Sequence, residues 1–123
     1  MIDSRYLEIQ EILRRLGNVK TRKSMYLGDC RKDYFLIEVF LIGFYLGVNV
    51  RPKSLDGHWS IKKEVLTKRG WDPKNTLVGN QMLSSGMDHL AVIDEILEIE
   101  IETWKLLLER SANSELSESG QKV

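Results

Sequence analysis

Between Asp88 and Arg110 the apolar residues Leu90, Ile93, Leu97, Ile101, Trp104 and Leu108 step by 3, 4, 4, 3 and 4. Positions at that spacing fall on one face of an α-helix and on no single face of a strand. A stripe about five turns long buries its apolar side only if other helices lie along its whole length. The rest of the 123-residue chain offers candidates for that role and no convincing alternation of apolar and polar residues, nor any internal repeat. The expected architecture is all-α: one domain over residues 1–110, a bundle of four to five helices closed by a long C-terminal helix. Residues 111–123, "SANSELSESGQKV", lack apolar periodicity and are expected to be a disordered tail.

The other helices announce themselves less sharply. Tyr6, Ile9, Leu13 and Leu16 define an amphipathic helix over 4–16, with Asp3 to cap its start, Gly17 to end it, and Arg14 and Arg15 beside its negative C-terminal dipole. A second helix from Asp33 to about Leu46 is apolar on nearly every side, the pattern of a central bundle helix. Gly43 and Gly47 each cost it roughly 1 kcal/mol against alanine, which close approach of another helix backbone would offset. A third helix fits Trp59 to Arg69, with Ile61, Val65 and Leu66 inward and Gly70 as terminator. "WDPKN" is then a turn, because Pro73 biases Asp72 away from helix, and residues 75–84 form a short helix weakened by Gly79. Trp71 is expected to wedge into the turn it follows.

Charge and cysteine content narrow the function classes. The most apolar run, Tyr34 to Val48, is interrupted by Glu38 and falls short of the roughly 20 residues that span a bilayer, so no membrane association is expected. The lone Cys30 cannot form an internal disulfide, and no apolar leader precedes the first helix, which points to the cytoplasm. Net charge is zero, yet residues 1–75 hold 15 Lys/Arg against 9 Asp/Glu, and residues 76–123 hold 3 against 9. A polar molecule is expected, with an acidic half suited to cationic partners and no direct nucleic-acid binding. His58 and His89 lack a glutamate three residues before them, so the metal-binding pattern of carboxylate bundles is missing and no cofactor is expected. Cys30, following Asp29, has no activating base nearby, and no catalytic residue is assigned.

Three stretches carry a functional and a structural reading side by side. The loop "RKSMYLG" is similar to a phosphate-binding stretch of the gyrase-like ATPases, but the acid–Asn helix and glycine-rich lid of that fold are missing. Its structural reading makes Met25, Tyr26 and Leu27 the apolar part of a clasp between two helices, with Gly28 in the turn. On the last helix Asp94, Glu98 and Glu102 lie four apart with Glu95 beside them. Like charges at that spacing disfavour the helix by about 0.2–0.5 kcal/mol per pair unless cations answer them. They form either a solvated face, a face paired with Lys and Arg of the first three helices, or an electrostatic docking surface. His58 and Trp59 form either an exposed recognition patch or a core tryptophan beside a surface histidine.

The loop from Arg22 to Gly28 and the following "FLIGFY", Phe40 to Tyr45, resemble a pattern of small bacterial immunity proteins of the contact-dependent growth inhibition type. There an Arg-Pro-x-Met-Tyr-x-Gly loop precedes a helix bearing a glycine and an aromatic residue, matched here by Gly43 and Tyr45. Trp71 and the terminal amphipathic helix also fit, whereas Lys23 stands where the pattern has proline. The resemblance implies a cytoplasmic, non-enzymatic protein that binds and neutralises a cognate toxin domain. Many such toxins are nucleases with a cationic cleft, and an acidic helix face would block one. Asp94, Glu95, Glu98 and Glu102 are the candidate contact residues. The rival reading is a stand-alone regulatory or adaptor module that binds through the aromatic and basic surface near His58 and Trp59.

Overall fold

A computed structural model describes residues 4–23, 25, 33–47, 57–74 and 78–121, and the side chains at 6–23, 25, 33, 34, 36–44, 57–74 and 78–110. Within these residues the chain is all-α, with five helices and no strand: α1 (Ser4–Thr21), α2 (Phe35–Gly47), α3 (His58–Lys68), α4 (Val78–Ser84) and α5 (His89–Gln121). Each of the first four packs against α5, most extensively α1 and α3 and least α2.

The predicted stripe on α5 is therefore only part of what it buries. Val92, Ile93, Ile96, Leu97, Ile99, Trp104 and Leu107 are all at most 4% exposed, too many directions for one amphipathic face. The central helix of the bundle is α5, and α2, despite its uniformly apolar sequence, lies at the edge with Val39 and Ile42 more than half exposed. Periodicity reports how apolar a helix is, while its position depends on how many neighbours reach it. The carboxyl side of Asp88 caps the start of α5, accepting from the Ala91 N–H at 2.8 Å. At the other end the helical backbone continues past Arg110 to Gln121.

α1 runs through Gly17 instead of ending there, because Val19 beyond it is buried. Its core side is Ile9, Ile12, Leu16 and Val19, and the anticipated Tyr6 and Leu13 lie only half-buried beside it. In this helix tertiary burial outweighs the roughly 1 kcal/mol glycine penalty. α3 buries Ile61, Val65 and Leu66 as predicted and ends where Gly70 adopts φ 91°. The Trp71 N–H then reaches back to the Leu66 carbonyl (2.8 Å) and the Gly70 N–H to Thr67 (3.0 Å), which satisfies two terminal carbonyls and turns Trp71 towards α5.

Two expectations about local packing are corrected. Met25 is 68% exposed, so it does not dock on the core; Tyr26, Leu27 and Gly28, the rest of that clasp, lie outside the described residues. Among the described residues nothing lies within 4 Å of a Cβ built on Gly43, so no described helix backbone closes on it, and the Tyr45 side chain lies outside the described residues. The close approach occurs at Gly79 instead. A Cβ there would fall 2.7 Å from Cδ2 and Cζ of Tyr34 and nearer still to Cε2. The Tyr34 ring is held in place, since its hydroxyl donates to Asn80 Oδ1 (2.6 Å) and its backbone N–H to His89 Nδ1 (2.9 Å).

Gly79→Ala should therefore lower stability by about 1–3 kcal/mol, the range for overpacking, despite alanine's better helix propensity. Urea unfolding checks this, and in a Tyr34→Leu background the same substitution should cost measurably less.

Candidate functional site

The four acids of the α5 row are brought together, and each meets a cation from another part of the chain. Lys23 Nζ lies 2.6 Å from Asp94 Oδ1, and Lys20 pairs with Glu98. Arg69 places Nη1 2.5 Å from Glu95 Oε1 and Nε 2.9 Å from Glu102 Oε2, with Lys68 3.6 Å from the other Glu102 oxygen. The Trp71 indole N–H adds a bond to Glu95 Oε2 at 3.1 Å. The charge imbalance along the sequence thus becomes contact across helices: cations at the ends of α1 and α3 answer acids on α5. That pairing removes the local repulsion expected of the row.

The row nevertheless divides in two. Glu95 and Glu102 keep only 21% and 27% of their side-chain surface, and both are held by one guanidinium whose planar fork fixes direction as well as charge. Asp94 and Glu98 keep 45% and 36%; Glu98 is met by the exposed Lys20, and Asp94 by Lys23, which is 22% exposed and also donates to the Lys20 carbonyl at 3.2 Å. The inner pair ties the end of α3 and Trp71 to α5, and the outer pair is the more exposed of the two, with lysines from the end of α1 over it. Spacing on one helix could not separate them, because their difference lies entirely in which cation arrives from elsewhere.

A second polar cluster escaped the sequence reading. Glu100 is only 1% exposed, on the side of α5 that faces α3. Lys62 Nζ lies 2.6 Å from its Oε1 and His58 Nε2 3.2 Å from its Oε2, while the His58 ring packs on buried Trp104 with centroids 4.7 Å apart. Burial by itself would raise the Glu100 carboxyl, but the bond to His58 and the charge of Lys62 outweigh it and hold the group down at about 2. Lys62 loses solvation too, yet its carboxylate neighbours hold it above its ordinary value. Burial pushes Glu38 of α2 above the usual carboxylate range, against the opposing charge of Lys62. Spacing did hold a clue: Glu100 falls among Ile96, Ile99, Thr103 and Trp104, all buried. An acid there needs an interior partner.

The histidine–tryptophan pair is the reverse of the core-and-surface arrangement. His58 points inward, and Trp59 is 52% exposed with Lys63 Nζ 5.8 Å from its ring centroid. Helical direction explains this, since Ile61, Val65 and Leu66 occupy the core side of α3 and Trp59 falls outside it.

Two open depressions lie elsewhere. One of about 420 Å³ is lined by Arg14, Arg15, Asn18, Val19, Phe40 and Phe44, and one of about 460 Å³ by Gly70, Trp71, Asn80, Gln81, Ser84 and Ser85. Neither lining pairs a nucleophile with a carboxylate or imidazole base. Among the described residues no three His, Cys, Asp or Glu side chains gather in a way that could hold a metal ion. No described helix is long and apolar enough to cross a membrane. Set against models of protein families, curated proteins and solved structures, the chain finds no match.

Removing one member of the buried cluster should be far more damaging than removing one of the outer row. Glu100→Ala strands Lys62 and should cost about 3–5 kcal/mol, whereas Glu98→Gln, at a surface pair, should cost at most about 1 kcal/mol in chemical denaturation. Because Glu100 sits below its ordinary value of 4.5, its contribution is complete above that pH and is lost as pH falls towards 2. Acid titration of wild type should show a destabilising limb there that a Glu100→Gln variant lacks.

Proposed function

We propose that this chain is a non-enzymatic binding protein of the immunity class, which neutralises a toxin domain by covering a cationic cleft, as on a nuclease, with the outer acids of α5. The observation that carries the reading is the division of the acid row, in which Asp94 and Glu98 stay partly exposed behind lysines alone. A surface lysine–carboxylate pair contributes about 0–1 kcal/mol, so a partner's arginine or lysine can take the place of Lys20 at Glu98 at little cost, and a second can reach the exposed part of Asp94. Glu95 and Glu102 serve as the fixed base under this surface, kept in register by Arg69 and Trp71. Since the molecule is neutral overall, attraction is local and acts only near the contact. The toxin assignment rests on the resemblance of Arg22 to Gly28 and Phe40 to Tyr45, and the binding face on the geometry.

A regulatory or adaptor module is the second reading, favoured by Trp59, an exposed aromatic with a lysine over its ring. The two readings put the contact on different helices, so substitutions separate them.

The test is binding and growth protection with the toxin domain encoded beside this chain. Association should slow roughly tenfold or more between about 0.03 and 0.3 M salt, and Asp94→Asn/Glu98→Gln should abolish that dependence and protection together. Lys20→Ala/Lys23→Ala should instead tighten binding several-fold by releasing the acids. Full protection by the Asp94→Asn/Glu98→Gln variant, with loss of binding in Trp59→Ala, would sink the proposed face in favour of the adaptor surface.

A further inference from the structure

The depression of about 460 Å³ beside the end of α3 is set apart by its chemistry. In a chain 29% of whose residues are charged, none of the described residues that line it carries a charge. Gly70 and Trp71 form one wall, just after α3, and Asn80, Gln81, Ser84 and Ser85 form the other, on α4 and the turn after it. The charged neighbours in sequence are engaged elsewhere: Arg69 lies on Glu95 and Glu102, and Asp72 Oδ1 accepts the Lys74 N–H at 2.9 Å. The size falls within the roughly 300–1,000 Å³ of small-molecule sites.

Both walls are fixed by the fold itself. Trp71 is anchored twice, through its backbone N–H to the Leu66 carbonyl at 2.8 Å and through its indole N–H to Glu95 Oε2 at 3.1 Å. Gln81 grips Asp72 with both ends of its amide, accepting the Asp72 N–H at 3.0 Å and donating to the Asp72 carbonyl at 2.9 Å, which ties α4 to the turn after α3. Asn80 Oδ1 accepts the Tyr34 hydroxyl at 2.6 Å. Side chains oriented in this way lose little further freedom when a ligand arrives.

The groups left over define that ligand. With its N–H committed to Glu95, the indole offers the depression an apolar, electron-rich surface. Among the described residues Asn80 Nδ2 and Ser84 Oγ have no hydrogen-bond partner, and Ser85 Oγ, which donates to the Met82 carbonyl at 2.7 Å, keeps its lone pairs. An ion would meet no opposite charge here, and a purely apolar ring would leave three polar groups unanswered. A ring with C–H groups on one face and hydroxyls around its edge meets both demands, since the C–H groups suit the indole and each hydroxyl both donates and accepts.

We propose that this depression is a binding site for a neutral pyranose sugar, packed on Trp71 with its hydroxyls on Asn80, Ser84 and Ser85. It uses no residue of the outer acid row, so its test is separate from that of the toxin contact.

Proton–nitrogen correlation NMR of the full chain, titrated with methyl glycosides of glucose, galactose, mannose and N-acetylglucosamine, provides the test. At least one glycoside should shift the Trp71 indole N–H and the Asn80 side-chain amide together and saturably, with a Kd of about 1–10 mM, as suits an open site. Ser84→Ala should weaken that binding about 3- to 10-fold, the worth of one hydrogen bond. Asn80→Asp keeps the acceptor for Tyr34 but loses the N–H donors, and should weaken it at least as much. Ser84→Leu, at an exposed position, fills the depression and should abolish binding while the rest of the spectrum stays in place. The absence of a saturable shift with any of the four glycosides at about 50 mM, or unchanged affinity in Ser84→Leu, would overturn the proposal. So would saturation of the same resonances by adenosine with no glycoside bound, which would assign the site to flat bases.

Discussion

The bundle depends on α5 being usable from many sides at once, and charge pairing across helices is what makes that possible. An apolar stripe alone would bury one face. Here Arg69 closes the end of α3 onto Glu95 and Glu102, Lys20 and Lys23 bring the end of α1 to Glu98 and Asp94, and Lys62 with His58 meets Glu100 between them. Each pair takes a side of α5 that would otherwise repel itself or require water, and turns it into a contact with a chosen neighbour.

These pairs are not equivalent in energy, and the difference assigns their roles. Glu100 is enclosed, so its partners are obligatory, and the cluster acts more as a device for register than as a source of net stability. Glu98 and Lys20 lie at the surface, where a pair is worth little and its members can change partners, while the Asp94–Lys23 pair is more enclosed. A single helix thus carries an enclosed ionic lock on one side and an exchangeable acidic edge on another.

Much of the fold was legible because helix periodicity is a local property. The long last helix, the inward residues Ile61, Val65 and Leu66 of α3, its stop at Gly70 and the turn of Trp71 all follow from spacing and from glycine at a positive φ. Legibility failed where a residue's role depends on a distant one. Gly79 looked like a weak point of a short helix, and it is the place where the Tyr34 ring passes. Gly43 looked like a contact point, and no described residue comes within 4 Å of a Cβ built on it. His58 and Trp59 fit neither reading whole, since Trp59 is exposed and His58 faces inward, because one helical step decides which of two neighbours faces the core.

By itself, then, the sequence determined the helical class, the start of the last helix, the bounds of α3 and the presence of an acidic row whose repulsion demanded an answer. Those features rest on residues within a few turns of one another. Tertiary structure alone decided that α5 and not α2 is central, that Glu100 needs Lys62 and His58, and that the acidic row splits into an inner pair under Arg69 and an outer pair under lysines. The reason is physical: burial and charge pairing depend on which groups arrive from far along the chain, and no periodicity within one helix records that arrival.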